Sequence, residues 1–154
     1  MYVWRICKRI YAANPFSGEG GLTVGARWHR AGHRIVYTSA TLSLAACEVW
    51  VNAPRRPLPS YVSVSASIPD DLQIEDVHET ELPPNWRKFA PYPPLLATLG
   101  TNWLIRRTSA VLRVPSAVTP GEFNYLLNPE QADFEKIRPG IPQPFEFSPR
   151  MWKS

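Results

Sequence analysis

Short runs of apolar residues, broken by prolines and glycines, follow one another along the chain and predict a domain of short elements. The most regular run covers residues 60–68, where Tyr61, Val62 and Val64 stand against three serines. Such alternation of apolar and polar positions is typical of a β-strand. Runs rich in β-branched and aromatic residues predict further strands at 2–6, 34–38 and 109–114, and a brief extended segment at 122–127.

Two segments have the composition of helices. The first covers about residues 40–51, with Ser39 as its expected N-cap, and it is apolar nearly all round, which predicts a buried helix. The second covers residues 93–107 and has one apolar face, formed by Leu96, Leu99 and Trp103. Strands and helices alternate without the regularity of βαβ units. The sequence therefore predicts an α+β fold, a small mixed sheet with packed helices.

The composition fits one folded domain over residues 1–154. Hydrophobic residues make up 44% of the chain, and the 17 prolines are spread between the apolar runs, so a packed core is expected. Neither a membrane-spanning run nor a signal-peptide pattern is recognised, and the two cysteines are too few for a disulfide framework. These features predict a protein of the reducing cytoplasm.

The charge balance is basic, with 17 Lys and Arg against 13 Asp and Glu. Most of the positive residues are arginines, which favour bidentate contacts with phosphate and carboxylate groups. This balance is compatible with an anionic ligand, a nucleic acid or an acidic protein partner, and it does not distinguish among them. Six acidic residues between positions 70 and 81 are predicted to form a solvated loop.

Glu48 is the most informative single residue, because it is the one charged residue in the apolar segment 40–51. A carboxylate on a buried helix is costly unless a cation or hydrogen-bond donors meet it. One interpretation is a structural position, at a solvent edge or beside an arginine. The other is a functional carboxylate held ready in a site.

A second candidate is the segment 25–34, which contains three arginines, two histidines and a tryptophan between glycines. It can be a basic surface loop, or it can bind a ligand that carries phosphates and a base. His29 and His33 lack the further ligands that a zinc site needs, and no metal is predicted. Ser116 follows a predicted strand as a turn residue, outside any nucleophile-elbow motif.

Taken together, these segments resemble the RES-domain family. The resemblance lies in Trp4-Arg5-Ile6, in GARWHRAGHRIVYTSATLSLAACEVWV at 25–51, and in LPPNW, LGTNWL, VPSAV and NYLLNP between residues 82 and 129. It implies the toxin of a bacterial toxin–antitoxin pair, with an Xre-like helix-turn-helix antitoxin as the partner. It also implies a fold similar to ADP-ribosyltransferase toxins, and NAD⁺ as a substrate that is degraded or whose ADP-ribose is transferred. No cofactor other than this substrate, no membrane and no direct binding of nucleic acid are expected, and self-association is possible.

The resemblance also assigns residues to the site. Glu48, Arg27 and Ser116 match the family's catalytic positions, and Arg5, Arg27, Tyr37 and Ser116 match positions that would bind NAD⁺. Arginines would hold the pyrophosphate, the tyrosine would stack on or hydrogen-bond the nicotinamide end, and the serine would fix a ribose or seat Glu48.

Two positions depart from the family's pattern: Ala26 replaces a usual glycine, and Ser148 stands where an aspartate is common. Two other functions remain open from the residues alone. A ribonuclease toxin would use Arg27, His29, His33 and Glu48 for acid–base catalysis. A non-catalytic basic binding module would use the positive charge alone.

Overall fold

The computed structural model describes residues 1–55 and 57–151. These residues contain eight strands: β1 (Tyr2–Lys8), β2 (Val36–Ser39), β3 (Tyr61–Ser67), β4 (Ile74–Asp76), β5 (Val111–Pro115), β6 (Phe123–Leu127), β7 (Arg138–Pro139) and β8 (Gln143–Phe145). The same described ranges contain three α-helices: α1 (Gly20–Thr23), α2 (Leu42–Asn52) and α3 (Pro94–Arg106). Short 3₁₀ helices lie at Arg9–Tyr11, Glu79–Glu81, Ala132–Lys136 and Pro149–Met151. None of the helices in the described part of the chain is long and apolar enough to cross a membrane.

The strands form one mixed sheet in the order β4-β5-β6-β2-β1-β3-β7, and β8 pairs with the other half of β3. Strands β4 and β5 run parallel, whereas the other described pairs are antiparallel. The predicted α+β class, with a small mixed sheet and packed helices, is confirmed. Strands β1 and β2 share the single register pair Trp4–Ser39, while β1 and β3 pair over seven positions. Strands β1 and β2 are therefore only weakly paired, which leaves a gap between them.

Side chains of the sheet contribute to cores on both of its faces. Val111 packs with Val3, Val36 and Val64 in one cluster, whereas its neighbour Leu112 belongs to another. This division follows from the alternation of side chains along a strand. The second cluster joins the sheet to α3 and contains the expected face Leu96, Leu99 and Trp103. A third cluster joins α2 to β1, β3 and the C-terminal segment, through Ile6, Ala45, Tyr61 and Phe147.

Two expectations about the first long helix are wrong. Ser39 is the last residue of β2, and the N-cap is Thr41, whose Oγ1 accepts a hydrogen bond from the Leu44 backbone N–H at 3.1 Å. The helix is also not buried all round, because it packs against the sheet from one side only. Leu44 and Ala45 are buried, but Val51 is 51% exposed.

The acidic stretch is only partly a solvated loop, because its residues Ile74–Asp76 form the edge strand β4. Ile74 packs against the first core cluster and Val77 belongs to the second. Glu75 accepts hydrogen bonds from the hydroxyls of Thr108 and Ser109, at 2.8 and 2.6 Å. The strand was missed because its pairing partner β5 lies more than thirty residues away in the chain.

Candidate functional site

A half-open pocket of about 570 Å³ lies beside the gap between β1 and β2. Arg5, Arg27, Tyr37 and Glu48 all line it, and so do Tyr92 and Asn124. These residues come from β1, the loop before β2, β2 itself, α2, the segment before α3, and β6. The volume is within the range of small-molecule sites. The structure thus brings together four of the five residues that the sequence singled out.

Glu48 is the carboxylate of this pocket. It is half-buried on α2, and its Oε1 accepts two hydrogen bonds, from Ser116 Oγ at 2.8 Å and from Asn124 Nδ2 at 2.6 Å. Both of these hydrogen bonds end on the same oxygen, so among the described residues Oε2 is left for a ligand. The carboxylate is consequently fixed in position without losing its capacity to act on a bound molecule.

Ser116 lies behind Glu48 rather than in the pocket wall. The serine is 1% exposed, and its Oγ accepts hydrogen bonds from the backbone N–H groups of Val118 and Thr119 at 3.1 and 3.0 Å. Because a hydroxyl has a single proton, these contacts leave that proton to be donated to Glu48. Of its two expected roles, this geometry favours seating Glu48 over holding a ribose.

Asn124 completes the support of Glu48 and was not singled out from the sequence as a site residue. Its Oδ1 accepts a hydrogen bond from Ser39 Oγ at 2.7 Å, which orients the amide so that Nδ2 faces Glu48. The residue begins the stretch NYLLNP, which carries part of the family resemblance. That stretch could have pointed to Asn124. Its contact with Glu48 could not be predicted from the local sequence pattern, because the two residues are 76 positions apart.

Arg27 stands at the corner of a tight turn, Ala26 to His29, closed by backbone hydrogen bonds in both directions. Its Nη1 donates to the carbonyl oxygens of Trp86 and Lys88, at 2.6 and 3.0 Å, and its Cζ lies 4.6 Å from the centre of the Tyr92 ring. Burial lowers the pKa of the Arg27 guanidinium, while Tyr92, Glu48 and Tyr37 oppose this shift. The guanidinium remains a cation at any physiological pH, and its remaining N–H groups are available to an anion.

Arg5 supplies a second cation. Its Nη1 donates to the backbone oxygen of Tyr37 at 3.2 Å, across the gap where β1 and β2 are no longer paired. Its Nε is buried and has no hydrogen-bond partner among the described residues. Burial lowers the pKa of Arg5, and Cys7 opposes that shift. A buried N–H without a partner is costly, so an oxygen of a bound ligand would stabilise this arrangement.

Tyr37 lines the pocket, and its hydroxyl is engaged by His29. The hydroxyl oxygen lies 2.8 Å from Nδ1 of His29, and Nε2 of that histidine lies 3.0 Å from the backbone oxygen of Val24. Burial raises the pKa of Tyr37 and lowers the pKa of His29, so both side chains are neutral near pH 7. Of the two expected modes, stacking on a ligand is favoured over a hydrogen bond to it.

The histidines do not form a metal site. Within residues 1–55 and 57–151, no three His, Cys, Asp or Glu side chains converge in a way that could hold a metal ion. His29 is 3% exposed, and His78 lies beside the Glu79–Glu81 turn, far along the chain in the acidic stretch. The pocket itself is lined by the Glu48 carboxylate, the guanidinium groups of Arg5 and Arg27, the Lys8 amine, the Cys7 thiol and several aromatic rings.

Comparisons with known proteins point to one family. The sequence profile of the RES domain matches residues 2–148. A protein of Yersinia enterocolitica named Toxin Res is 34% identical over 152 residues, which cover 98% of this chain and 99% of that protein. A Sphingobium protein named Prs ADP-ribosylating toxin is 32% identical, covering 96% of this chain and 94% of that one. The fold also matches a chain in the crystal structure of the M. tuberculosis MbcT–MbcA toxin–antitoxin complex, with a TM-score of 0.76 at 14% identity, over 94% of this chain and 83% of that chain.

Proposed function

The chain belongs to the RES-domain family, as the resemblance in its sequence predicted, and we propose that it is a toxin that cleaves the bond between nicotinamide and ribose in NAD⁺. The observation that carries the proposal is the fixed carboxylate of Glu48 in a pocket that also holds Arg5 and Arg27. The relatives named as toxins support the role of a toxin, and the one named as ADP-ribosylating supports NAD⁺ as the substrate.

The charge changes of this reaction fit the groups in the pocket. When the bond between C1 of the ribose and the nicotinamide nitrogen breaks, its electron pair goes to the ring nitrogen, and positive charge develops on the ribose carbon. A carboxylate held nearby stabilises that charge electrostatically. Ser116 and Asn124 hold Glu48 through Oε1, so Oε2 can face the ribose. An acceptor oxygen then bonds to the ribose carbon, and a proton that this oxygen carried passes to the solvent.

Arg5 and Arg27 suit the two phosphates that link the halves of NAD⁺. Each guanidinium is anchored to backbone carbonyls through Nη1, which leaves Nε and Nη2 for charge-assisted hydrogen bonds with phosphate oxygens. Anchoring restricts the rotamers of both side chains before the substrate arrives, which lowers the entropy lost on binding. The ring of Tyr37 offers a stacking surface for a planar base.

Three acceptors are compatible with the pocket: water, inorganic phosphate, or a side chain of a target protein. The name of the Sphingobium relative supports the third. The ribonuclease alternative receives no support from the geometry, because His29 is buried and both of its ring nitrogens are engaged. A general acid or base must reach the substrate's proton, and this histidine does not reach the pocket.

The test is to incubate the purified chain with NAD⁺ labelled in the adenylate half and to measure nicotinamide release by chromatography. Free ADP-ribose identifies water as the acceptor, its 1-phosphate identifies phosphate, and labelled polypeptides in an added bacterial lysate identify a protein. Arg30→Ala is a matched control, since Arg30 is exposed and its side chain bonds to Thr98 outside the pocket. Folded protein that releases no nicotinamide with any acceptor, or that degrades RNA instead, would refute the proposal.

We further propose that an Xre-like antitoxin with a helix-turn-helix domain binds this chain in the cytoplasm and blocks the pocket. The structural neighbour is part of a toxin–antitoxin complex, which supports a partner of this class. An acidic segment of the antitoxin would pair with Arg27 as the substrate's phosphates would. Co-expression with the product of a neighbouring helix-turn-helix gene should give a stable complex without nicotinamide release. A stable complex with full activity would contradict this mode of inhibition.

A further inference from the structure

His29 connects the turn that carries Arg27 with the strand that carries Tyr37. Its backbone closes the turn, because Ala26 N–H donates to the His29 oxygen at 3.0 Å and His29 N–H donates to the Ala26 oxygen at 3.4 Å. Its side chain reaches Tyr37 on β2 at 2.8 Å. One residue therefore fixes the positions of two pocket-lining side chains relative to each other.

The hydrogen bonds of the His29 ring define its tautomer. The backbone oxygen of Val24 can only accept, so Nε2, at 3.0 Å from it, carries a proton. In the neutral ring Nδ1 then has a lone pair and accepts the proton of the Tyr37 hydroxyl. Protonation of Nδ1 would remove this acceptor.

We propose that His29 is a positioning residue of the NAD⁺ pocket, which acts in its neutral Nε2–H form by holding Tyr37 and the Arg27 turn together. The proposal rests on the proposed function for its activity readout, but the contact itself can be tested without substrate. Loss of the Nδ1 acceptor, by substitution or by protonation, frees the Tyr37 ring and the turn. Substrate binding weakens as a result, whereas Glu48 keeps its own support from Ser116 and Asn124.

The His29 ring is closely surrounded by other groups. It is 3% exposed, and a Cβ added at Gly21 of α1 would lie 3.2 Å from its Nε2. Around the ring, α1 contributes the backbone of Gly21, β2 contributes Tyr37, and the loop contributes His33, whose charge would repel a second imidazolium. Burial and His33 both disfavour the protonated form of His29, so its pKa is lowered.

Two substitutions of His29 distinguish the roles of its two ring nitrogens. In His29→Asn, the side-chain oxygen occupies the place of Nδ1 and can still accept from Tyr37. In His29→Gln, the amide nitrogen takes the place of Nε2 and can still donate to Val24, but the acceptor for Tyr37 is lost. A hydrogen bond of this kind contributes about 0.5–1.5 kcal/mol net, so we expect KM for NAD⁺ to rise roughly 3- to 10-fold in the glutamine variant. The asparagine variant should recover most of this loss, and kcat should change less than KM in both.

The pH dependence of kcat/KM distinguishes a positioning role of His29 from a purely structural one. Acidification should lower kcat/KM of the wild type as His29 becomes protonated, below its ordinary pKa of about 6.5. His29→Asn cannot be protonated there and should lack this loss, whereas the control His33→Asn should retain it. Equal KM values for wild type and His29→Gln, or an unchanged acid loss in His29→Asn, would overturn the proposal.

Nitrogen NMR of the histidine rings tests the contact independently of NAD⁺. The account predicts a neutral His29 with the proton on Nε2. It also predicts that His29→Gln and Tyr37→Phe destabilise the fold by less in combination than the sum of their separate effects, as partners in one contact do. A proton on Nδ1, or strictly additive effects, would refute the contact. If these results hold while the wild type releases no nicotinamide, the failure lies in the proposed function and not in the role of His29.

Discussion

Replacing Gly100 by alanine should displace the turn that carries Arg27 from its position on α3. A Cβ built at Gly100 would lie 1.7 Å from the backbone oxygen of Trp28 and 2.8 Å from its carbonyl carbon. Carbon atoms in contact are ordinarily about 3.5–4.0 Å apart. The clash is with backbone, so it cannot be relieved by turning a side chain, and α3 and the turn must separate by more than about 1 Å.

Both stability and activity should fall. Overpacking of this kind costs about 1–3 kcal/mol, which for a chain of this size corresponds to a decrease in Tm of about 3–10 °C. Because Trp28 directly follows Arg27, the separation also shifts the guanidinium relative to Glu48. A misplacement of about 1 Å in a site can lower the rate by roughly two orders of magnitude.

The assay combines thermal unfolding with nicotinamide release at saturating and limiting NAD⁺. Gly20→Ala is the matched control, because a Cβ at Gly20 meets no atom within 4 Å and its backbone does not require glycine. That variant should keep the wild-type Tm and kcat/KM. If Gly100→Ala has the same Tm and activity as Gly20→Ala, the close approach of α3 to the Arg27 turn does not position the site.

Three further outcomes are expected. Ser116→Ala removes one donor to Glu48 and leaves two backbone N–H groups without their acceptor. The free energy of unfolding, measured by chemical denaturation, should therefore fall by about 1–3 kcal/mol, and kcat should fall more than KM changes. A change in KM alone would instead show that the serine contacts the substrate. Arg27→Ala should raise the dissociation constant for NAD⁺, measured by calorimetry, at least about 10-fold, because the contact with a phosphate is lost. The control Arg30→Ala should leave this constant unchanged. Equal effects of the two substitutions would exclude a specific role for Arg27. The pKa of His29 is lowered in the folded chain, so on acidification the unfolded chain takes up a proton first. The free energy of unfolding, measured by urea titration, should therefore decrease as the pH falls below about 6.5. His29→Asn should show a smaller decrease, and a decrease identical to that of the wild type would contradict this assignment.

Much of the fold was readable from local pattern. Strands such as β3 and β5 and the helix α3 lie within a few residues of their predicted bounds, because each carries its own periodicity of apolar positions. The strands β4, β7 and β8 were not predicted. They are two or three residues long and are stabilised by pairing with β3 or β5, which a local pattern does not record.

The residues of the candidate site were likewise only partly predictable from the sequence. Glu48 was recognisable because a lone carboxylate in an apolar helix requires donors elsewhere in the chain. The donors themselves were harder to find, since Ser116 and Asn124 are 68 and 76 residues away from it. Arg27 likewise depends on carbonyl groups of Trp86 and Lys88, and backbone atoms leave no signal in residue types.

The apolar pattern of α2 was misleading for a physical reason. Apolar residues all round a helix normally indicate burial on all sides, yet Val51 is half exposed and Cys47 is exposed. The half-exposed Val51 borders the pocket, and so does its neighbour Val49, which also packs against the third core cluster. Exposure of apolar groups beside a binding site is a common exception to the burial rule.

The central claim is that the charge of Glu48 stabilises the transition state of NAD⁺ cleavage, and the most direct measurement is nicotinamide release by Glu48→Gln. The amide oxygen can take the place of Oε1 and keep the hydrogen bonds from Ser116 and Asn124, so the variant should fold and keep a Tm near that of the wild type. Its kcat should fall by about 10²–10³, the usual effect of removing one preorganised electrostatic group. The dissociation constant for NAD⁺ should change much less, because the ground-state ribose carbon carries little positive charge. A folded Glu48→Gln protein that binds NAD⁺ and releases nicotinamide at nearly the wild-type rate would contradict the account.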